Sequence, residues 1–186
     1  MPRLTVFNSV SLDGYFTDDS GDMSWAHSND PEWLEFVAGN ASGDGVLVFG
    51  RVTYELMAGY WPTPMAMQND PAVAQAMNRS RKIVFSRTLD EASWSNTQLV
   101  RDDLAGTIRR MKDAPGPDMA VLGSGRIVAQ LAREDLIDEY QVAVKPIVLG
   151  AGRTMFEGVT RRLCLRLTRT RAFANGSVVL WYEPAG

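Results

Sequence analysis

The sequence contains one cysteine and one histidine, and both scarcities narrow the classes of protein that it can encode. With Cys164 as the only thiol, no disulfide can form within the chain, so a small disulfide-stabilised fold is excluded. A thiol flanked by Leu163 and Leu165 is expected to be buried and inert. With His27 as the only imidazole, a histidine-based metal cluster is excluded, and a Ser-His-Asp triad would depend on that residue alone.

An excess of basic charge and long apolar runs are also lacking. The formal net charge of −3 argues against non-specific binding of nucleic acid. No apolar stretch reaches the ~20 residues that span a membrane, and the first residues lack a signal-peptide core. We therefore expect a cytoplasmic protein without membrane or nucleic-acid partners. The 186 residues suffice for a substantial core, and a single domain over residues 1–186 is expected.

The sequence does contain three short apolar runs that each end at a small residue close to an arginine. They are Val46–Phe49 before Gly50-Arg51, Ile83–Phe85 before Ser86-Arg87, and Met119–Leu122 before Gly123-Ser124-Gly125-Arg126. Such runs are typical of buried strands in a sheet that is covered on both faces. If the strands are parallel, their carboxyl ends share the edge at which open α/β sheets bind ligands. Arginines, hydroxyls and free N–H groups at one edge predict a site for a nucleotide cofactor.

Elsewhere the pattern alternates strands with helices and finishes in a hairpin. Aspartate N-caps followed by proline predict helices that start at Asp30-Pro31 and Asp70-Pro71. The other predicted elements are strands at Leu4–Val10 and Thr97–Val100, helices at 102–112 and from Ser124, a long β segment at Ile137–Leu149, and a hairpin turn at Asn175-Gly176. This order predicts an α/β fold with a mostly parallel central sheet and an antiparallel C-terminal hairpin.

The three strand ends indicate a phosphate site to different degrees. At 123–126, two glycines allow close approach to a ligand and a helix follows at once, which favours anion binding over a plain glycine turn. At 50–53, the first helical N–H groups and the Thr53 hydroxyl suit a phosphate, but an ordinary turn fits equally well. The trio at 86–88 suits a phosphomonoester, although alone it is better explained as a polar loop with a capping serine.

The motifs together resemble those of the dihydrofolate reductase fold. The run Phe49–Glu55 is similar to the Gly-Arg-x-Thr-Trp/Tyr-Glu motif of that fold, and Ser86–Leu89 and Gly123–Gly125 fall where its second and third cofactor loops belong. The segments Pro146–Gly152 and Ser11–Gly14 resemble the pyrimidine-reductase domain of riboflavin biosynthesis, which shares the fold. The resemblance covers nearly the whole chain and implies a three-layer α/β/α architecture.

The resemblance also implies NADPH-dependent transfer of a hydride to a small pyrimidine-like or pterin-like heterocycle. By position, Arg51 and the Ser86-Arg87 pair would bind the 2′-phosphate of the cofactor, Thr53 and the N–H groups of 124–126 its pyrophosphate, and the Ser9 backbone its carboxamide. The full set of expected cofactor-binding residues is Ser9, Gly50, Arg51, Thr53, Ser86, Arg87, Thr88, Gly123, Ser124, Gly125 and Arg126.

Reduction of a C=N or C=O bond needs a proton as well as a hydride, and a positioned carboxyl is the usual donor. Glu32 precedes Phe36 by four residues, so both lie on one helix face, as the acid does in the folate reductases that the chain resembles. The helix dipole alone also favours an acid in the first turn, and this explanation is slightly preferred for Glu32. Asp13 is the second candidate, although Asp-Gly after a strand is commonly only a turn.

Several large apolar or aromatic side chains have two possible roles. Met23 and Trp25 lie in a polar loop at 18–29, where folate reductases have a loop that closes over the nicotinamide. Trp33, Tyr60 and Trp61 are candidates for the lining of a substrate pocket, although core packing is the commoner role of such residues.

The chain also departs from its apparent relatives. Arg126 stands where the pyrimidine reductases usually have an acid, so it belongs either to the cofactor or to the substrate. No Asn-Pro substrate loop is found between residues 50 and 80, and no deaminase zinc motif is present. Neither riboflavin synthesis nor folate reduction is therefore assigned. The alternative function is a non-catalytic nucleotide-binding protein of the same fold, and we expect a homodimer, which Ile137–Leu149 would pair.

Overall fold

The computed structural model describes residues 1–41 and 43–186. The strands are β1 (Leu4–Val10), β2 (Tyr15–Thr17), β3 (Val46–Gly50), β4 (Arg81–Phe85), β5 (Thr97–Val100), β6 (Met119–Leu122), β7 (Glu139–Val144), β8 (Arg153–Thr154), β9 (Leu165–Ala172) and β10 (Val178–Pro184). The helices are α1 (Pro31–Ala41), α2 (Arg51–Tyr60), α3 (Pro64–Asn69), α4 (Pro71–Arg79), α5 (Leu104–Asp113) and α6 (Gly125–Arg133).

The main sheet has eight strands in the order β5-β4-β3-β6-β1-β7-β10-β9. All neighbours from β5 to β7 are parallel, and β10 pairs antiparallel with both β7 and β9. The predicted α/β fold, with a mostly parallel sheet and an antiparallel C-terminal hairpin, is therefore confirmed. The carboxyl ends of β1, β3, β4, β6 and β7 lie along one edge, which is called the carboxyl edge below.

Helices cover both faces of the sheet and give the molecule three layers. On one face α5 and α6 pack on the main apolar cluster, to which Leu4, Val6 and Val10 of β1 contribute. On the other face α2 and α4 pack on β3 and β4, while α1 packs on β7 and β10. The α1 layer is aromatic: Trp33 and Phe36 contact Phe173 at ring-centroid distances of 5.2 Å each. Burial of these faces holds the parallel strands in register.

The structure differs from the sequence predictions at several places. Cys164 is exposed rather than buried, because the alternation around it turns Leu163 and Leu165 toward the core and the thiol away. The long β segment ends at Val144, since Ile147 N–H donates to the Lys145 carbonyl (2.8 Å) in a tight turn. The short helix α3 and the small β2–β8 sheet were not predicted. None of the described helices has the length and hydropathy that a membrane crossing requires.

Lys82 is a buried charged residue within the sheet. It lies in β4, is 1% exposed, and has its Nζ 4.4 Å from the centre of the Trp94 ring. Nζ donates to three backbone carbonyls, those of Met77 (2.8 Å), Asn78 (3.3 Å) and Ser80 (2.6 Å), which fastens the end of α4 to β4. Burial lowers the pKa of Lys82 to about 8. The lysine therefore has a structural role.

We expect Lys82→Met to destabilise the protein by about 2–4 kcal/mol, because it strands buried carbonyl acceptors at the end of α4. The measurement is the free energy of unfolding from urea titration at pH 7, with Arg109→Met as a control in which a half-exposed cation is lost. A Lys82→Met protein as stable as the unmodified chain would contradict the structural role.

Candidate active site

The ends of β3 and β6 are joined by the side chain of Ser124. Gly50 N–H donates to Ser124 Oγ (2.8 Å), and Ser124 N–H donates to Thr53 Oγ1 (3.1 Å). The two hydroxyl oxygens lie 3.1 Å apart. The structure thus brings together the beginnings of the predicted 50–53 and 123–126 loops at the carboxyl edge.

Two glycines allow this close approach of the strand ends. A Cβ on Gly123, which has φ +64°, would lie 2.7 Å from Thr53 Oγ1 and 2.8 Å from Thr53 Cγ2. A Cβ on Gly50 would lie 2.9 Å from Ser124 Oγ. Any other residue would push the two loops apart, so the glycine requirement comes from the packing of the site itself.

Two helices that begin at this edge, α2 and α6, lack the side-chain caps of the other α-helices. Carboxylate or hydroxyl oxygens cap the remaining helices: Asp30 on α1, Thr63 on α3, Asp70 on α4 and Asp103 on α5. Among the described residues, no side chain caps α2 or α6. Both therefore present first-turn N–H groups and a partial positive charge at the carboxyl edge, and this arrangement attracts anions.

Three exposed arginines follow these strand ends. Arg51 pairs with Glu55 of its own helix (2.9 Å), and Arg87 Nε donates to Asp102 (3.1 Å). Arg126 is exposed at the start of α6. Ion pairs between exposed side chains are weak, so a phosphate can replace either carboxylate as the partner of its arginine.

The 86–88 loop is organised by Ser86. Its hydroxyl accepts hydrogen bonds from the backbone N–H groups of Thr88 (3.2 Å) and Leu89 (3.0 Å). These bonds match the reading of a polar loop with a capping serine. The hydroxyl proton remains available, so Ser86 and Thr88 can still donate to a phosphate beside Arg87.

The end of β1 forms the middle of the carboxyl edge. Ser9 lies opposite Ala143 of β7, and the buried Asn8 amide donates to the Gly123 carbonyl (3.4 Å). The strand expected to meet the nicotinamide is therefore tied to the glycine loop of β6.

Asp13 fastens the loop after β1 to the chain after β7. Its carboxylate accepts hydrogen bonds from the Ser11 hydroxyl (2.6 Å) and from the N–H groups of Leu149 (3.1 Å) and Gly150 (2.7 Å). The hydrogen bond from Ser11, followed by those from the backbone, lowers the pKa of Asp13. Stabilisation of the anion is the opposite of what a proton donor needs at neutral pH.

Glu32 points to the outer strand of the sheet. It lies in the first turn of α1 and accepts a hydrogen bond from Arg171 of β9 (3.0 Å), with both side chains partly exposed. The Arg171 guanidinium also stacks 4.6 Å from the centre of the Phe173 ring. Both predicted donors, Glu32 and Asp13, are thus held by other partners in this structure, and their catalytic roles stay predictions.

The aromatic candidates separate into two groups. Trp33 packs at the start of α1, close to the carboxyl edge, whereas Tyr60 and Trp61 stand at the far end of α2, about 15 Å along the helix from its first residue. In the 18–29 loop, Met23 packs on the main cluster and the Trp25 indole donates to the Asp22 carbonyl (3.1 Å). Of the three pocket candidates, only Trp33 lies near this edge.

Lys145 is a residue of this edge that the sequence reasoning missed. It follows β7 directly, is 3% exposed, and has its Nζ 3.4 Å from the centre of the Trp33 ring. Burial lowers its pKa to about 8, and Nζ has no hydrogen-bond partner in the described structure. The available signal was a charged residue at the end of an otherwise apolar strand, directly before Pro146.

This sheet order and the helix starts at the carboxyl edge define an α/β protein with the dihydrofolate reductase-like fold. The family model of the RibD C-terminal domain matches residues 2–179. The chain therefore belongs to the RibD C-terminal domain family, and membership supports a reductase-type function. No group of three or more potential metal ligands occurs in the described part of the chain.

Known proteins show how far this similarity extends. The uncharacterized protein YyaP of Bacillus subtilis (strain 168) is 25% identical over 182 residues, which cover 97% of this chain and 94% of YyaP. The crystal structure named "Putative riboflavin biosynthesis protein" from Shewanella sp. PV-4 has a TM-score of 0.77 and 25% identity, with 99% of each chain covered. Dihydrofolate reductase from Enterococcus faecalis, complexed with NADP(H) and RAB-propyl, shares the fold at a TM-score of 0.66 and 15% identity, covering 99% of this chain and 97% of that one.

We expect Asp13→Asn to lower the melting temperature at neutral pH, because the amide carries no charge to accept the bonds from Leu149 and Gly150. Since the folded-state pKa of Asp13 is lowered, its contribution is present above the ordinary aspartate pKa and is lost as the pH falls through the folded-state value. Melting curves across acidic pH check this. The difference between variant and unmodified chain should shrink toward low pH, and a constant difference would contradict the assignment.

Proposed function

We propose that the protein is an NADPH-dependent reductase that transfers a hydride to a C=N or C=O bond of a small pyrimidine-like or pterin-like heterocycle. The observation that carries the proposal is the pair of uncapped helix starts, α2 and α6, joined through Ser124 at the carboxyl edge. Family membership and the NADP(H) complex of the Enterococcus faecalis enzyme of the same fold support it.

The residues present fit an adenine dinucleotide phosphate. The first-turn N–H groups of α2 and α6 and the Thr53 hydroxyl would hold the pyrophosphate. Arg51 and Arg87, with the hydroxyls of Ser86 and Thr88, would hold the 2′-phosphate, with each guanidinium exchanging its carboxylate partner for the phosphate. When bound, NADPH supplies the hydride. The protein's part is to orient the two reactants at the end of β1 and to exclude water from them.

The direct test measures the binding of NADPH and of NADH to the purified protein by isothermal titration calorimetry. A preference for NADPH is expected, because only that cofactor carries the 2′-phosphate. Oxidation of NADPH is then followed at 340 nm with dihydrofolate, dihydrobiopterin and 5-amino-6-(5-phosphoribosylamino)uracil. Absence of NADPH binding, or a preference for NADH, would reject the proposal.

Arg87→Ala should weaken NADPH binding by about tenfold or more, because a hydrogen bond to a charged group contributes about 1.5–3 kcal/mol. Binding of NADH should change much less. The matched control is Arg109→Ala, which removes the same charge from α5, where Arg109 pairs with Glu134. Equal losses for both cofactors in Arg87→Ala would show that Arg87 does not contact the 2′-phosphate.

A non-catalytic nucleotide-binding protein is the second candidate, and the engagement of Asp13 and Glu32 by other partners favours it. The two functions differ in one result. A binding protein would hold NADPH tightly but leave it unoxidised with every heterocycle tried, whereas a reductase would oxidise it with its substrate. A reductase also requires a further proton donor at the carboxyl edge.

A further inference from the structure

The chain contains two buried lysines in closely similar surroundings. Lys82 and Lys145 are 1% and 3% exposed, and each ammonium lies over a tryptophan ring, that of Trp94 or Trp33. Burial lowers the pKa of each to about 8. They differ in one respect, which is the number of hydrogen bonds that the ammonium makes.

The Lys82 ammonium uses all three of its donors on backbone carbonyls. The Lys145 ammonium has none of these partners and no ion pair within the described structure. Taking an unpaired ammonium out of water costs several kcal/mol, and a contact with a ring face returns about 2 kcal/mol. Packing alone does not explain a lysine at position 145, since an apolar side chain would fill the same space at less cost.

The backbone fixes where this ammonium lies. Lys145 N–H donates to the Val10 carbonyl (2.8 Å), so the residue is held beside the end of β1. Ala143 precedes it by two residues and lies opposite Ser9, which places the Lys145 and Ala143 side chains on one face of the sheet. That face carries α1, whose first turn brings Trp33 against Nζ. Lys145 therefore projects from the strand next to the expected nicotinamide position.

The acidic residues at the start of α1, the helix that carries Trp33, are engaged by other partners. Asp30 caps α1 by accepting from Trp33 N–H (2.9 Å), and Glu32 pairs with Arg171. The start of α1 adds the positive end of a helix dipole to the same region. A substrate atom that arrives here meets positive charge and, in Lys145, a buried donor that lacks a partner in the described structure.

We propose that Lys145 is the proton donor of the reduction and that its ammonium binds the carbonyl oxygen or imine nitrogen of the substrate. The inference rests on the proposed reductase function. The Lys145 ammonium lies on the Trp33 ring, a contact that one acceptor atom can replace, whereas three carbonyls hold Lys82 in place.

The chemistry balances with NADPH as the reductant. The carbon of the C=N or C=O bond receives the hydride, and the π electron pair moves to the heteroatom. That heteroatom takes a proton from Nζ of Lys145, which becomes a neutral amine and regains a proton from water. NADPH is oxidised to NADP⁺, and the substrate gains two hydrogens. A pKa of about 8 leaves the ammonium protonated at neutral pH and able to release its proton. The substrate class is a heterocycle with an acceptor atom next to the carbon that is reduced.

The test compares Lys145→Met with Lys82→Met. Lys145→Met should bind NADPH within twofold of the unmodified protein and lose about 100-fold or more in turnover, the usual contribution of a general acid. Its melting temperature at pH 7 should stay the same or rise, because an unpaired buried charge is removed. Lys82→Met should melt lower and keep its turnover per folded molecule. In the unmodified protein, hydride transfer in a single turnover should slow above pH 8.

Stability provides a readout that needs no substrate. The folded-state pKa of Lys145 lies below the ordinary 10.5, so the ammonium disfavours folding at neutral pH and ceases to do so as both states lose the proton. Any gain in melting temperature in Lys145→Met should therefore fade between pH 8 and 10.5. A melting temperature that falls as far as in Lys82→Met would mark Lys145 as structural and overturn the proposal.

The two proposals fail in different ways. If the unmodified protein binds no NADPH, the reductase function fails. If it binds and oxidises NADPH while Lys145→Met turns over at the same rate, only the role of Lys145 fails. Normal turnover together with a flat pH profile above pH 8 in the unmodified protein would also exclude Lys145 as the donor.

Discussion

The geometry of the site depends on the turn at Ser124. Gly123 and Ser124 are both left-handed, at φ +64° and +56°, and this pair turns the chain from β6 into α6. A non-glycine residue in that conformation costs about 1 kcal/mol, which the hydrogen bonds of Ser124 to Gly50 and Thr53 offset. The turn therefore holds the starts of α2 and α6 side by side. Without it, neither helix would present its first N–H groups to a shared ligand.

The absence of N-caps on α2 and α6 affects the stability of the carboxyl edge. An N-cap contributes about 1 kcal/mol, and α1, α3, α4 and α5 have one. At α2 and α6 that contribution is absent, and Arg51 and Arg126 add positive charge to helix ends that are already positive. The Glu55 carboxylate offsets part of the charge of Arg51, and the Asp102 carboxylate offsets part of the charge of Arg87 beside them. The edge is therefore less stable than its surroundings when empty, and an anion bound there would add stability as well as occupy a site.

Much of the fold was predictable because apolar runs and aspartate caps are local signals. The strands Thr97–Val100 and Met119–Leu122 have the bounds that the sequence pattern predicts, and Asp30 and Asp70 cap the expected helices. The predictions that were wrong depend on contacts between residues that are distant in sequence. The exposure of Cys164 follows from which face of its segment meets the core, and Pro146 does not reveal where β7 stops.

The position of the candidate loops was predictable for the same reason. The loops expected to bind the anion follow strand ends, so their position can be read from local sequence. The hydrogen-bond partners of the side chains cannot be read from local sequence. Residue type and local spacing predict Asp13 and Glu32 as donors, yet partners far along the chain engage them: Asp13 is bound by residues 136 and 137 positions away, and Glu32 by one 139 positions away.

The comparison of the two lysines points to a different criterion for a proton donor. A carboxylate that accepts several hydrogen bonds is stabilised as the anion and becomes a poorer acid, as at Asp13. A buried ammonium without acceptors is destabilised as the cation, and each step that frees its proton or supplies an acceptor lowers the free energy. Lys82 has its acceptors and Lys145 does not. The substrate would then supply the missing acceptor, so binding and protonation would draw on the same unmet interaction. In this protein the donor is better identified by the partner that it lacks than by its residue type.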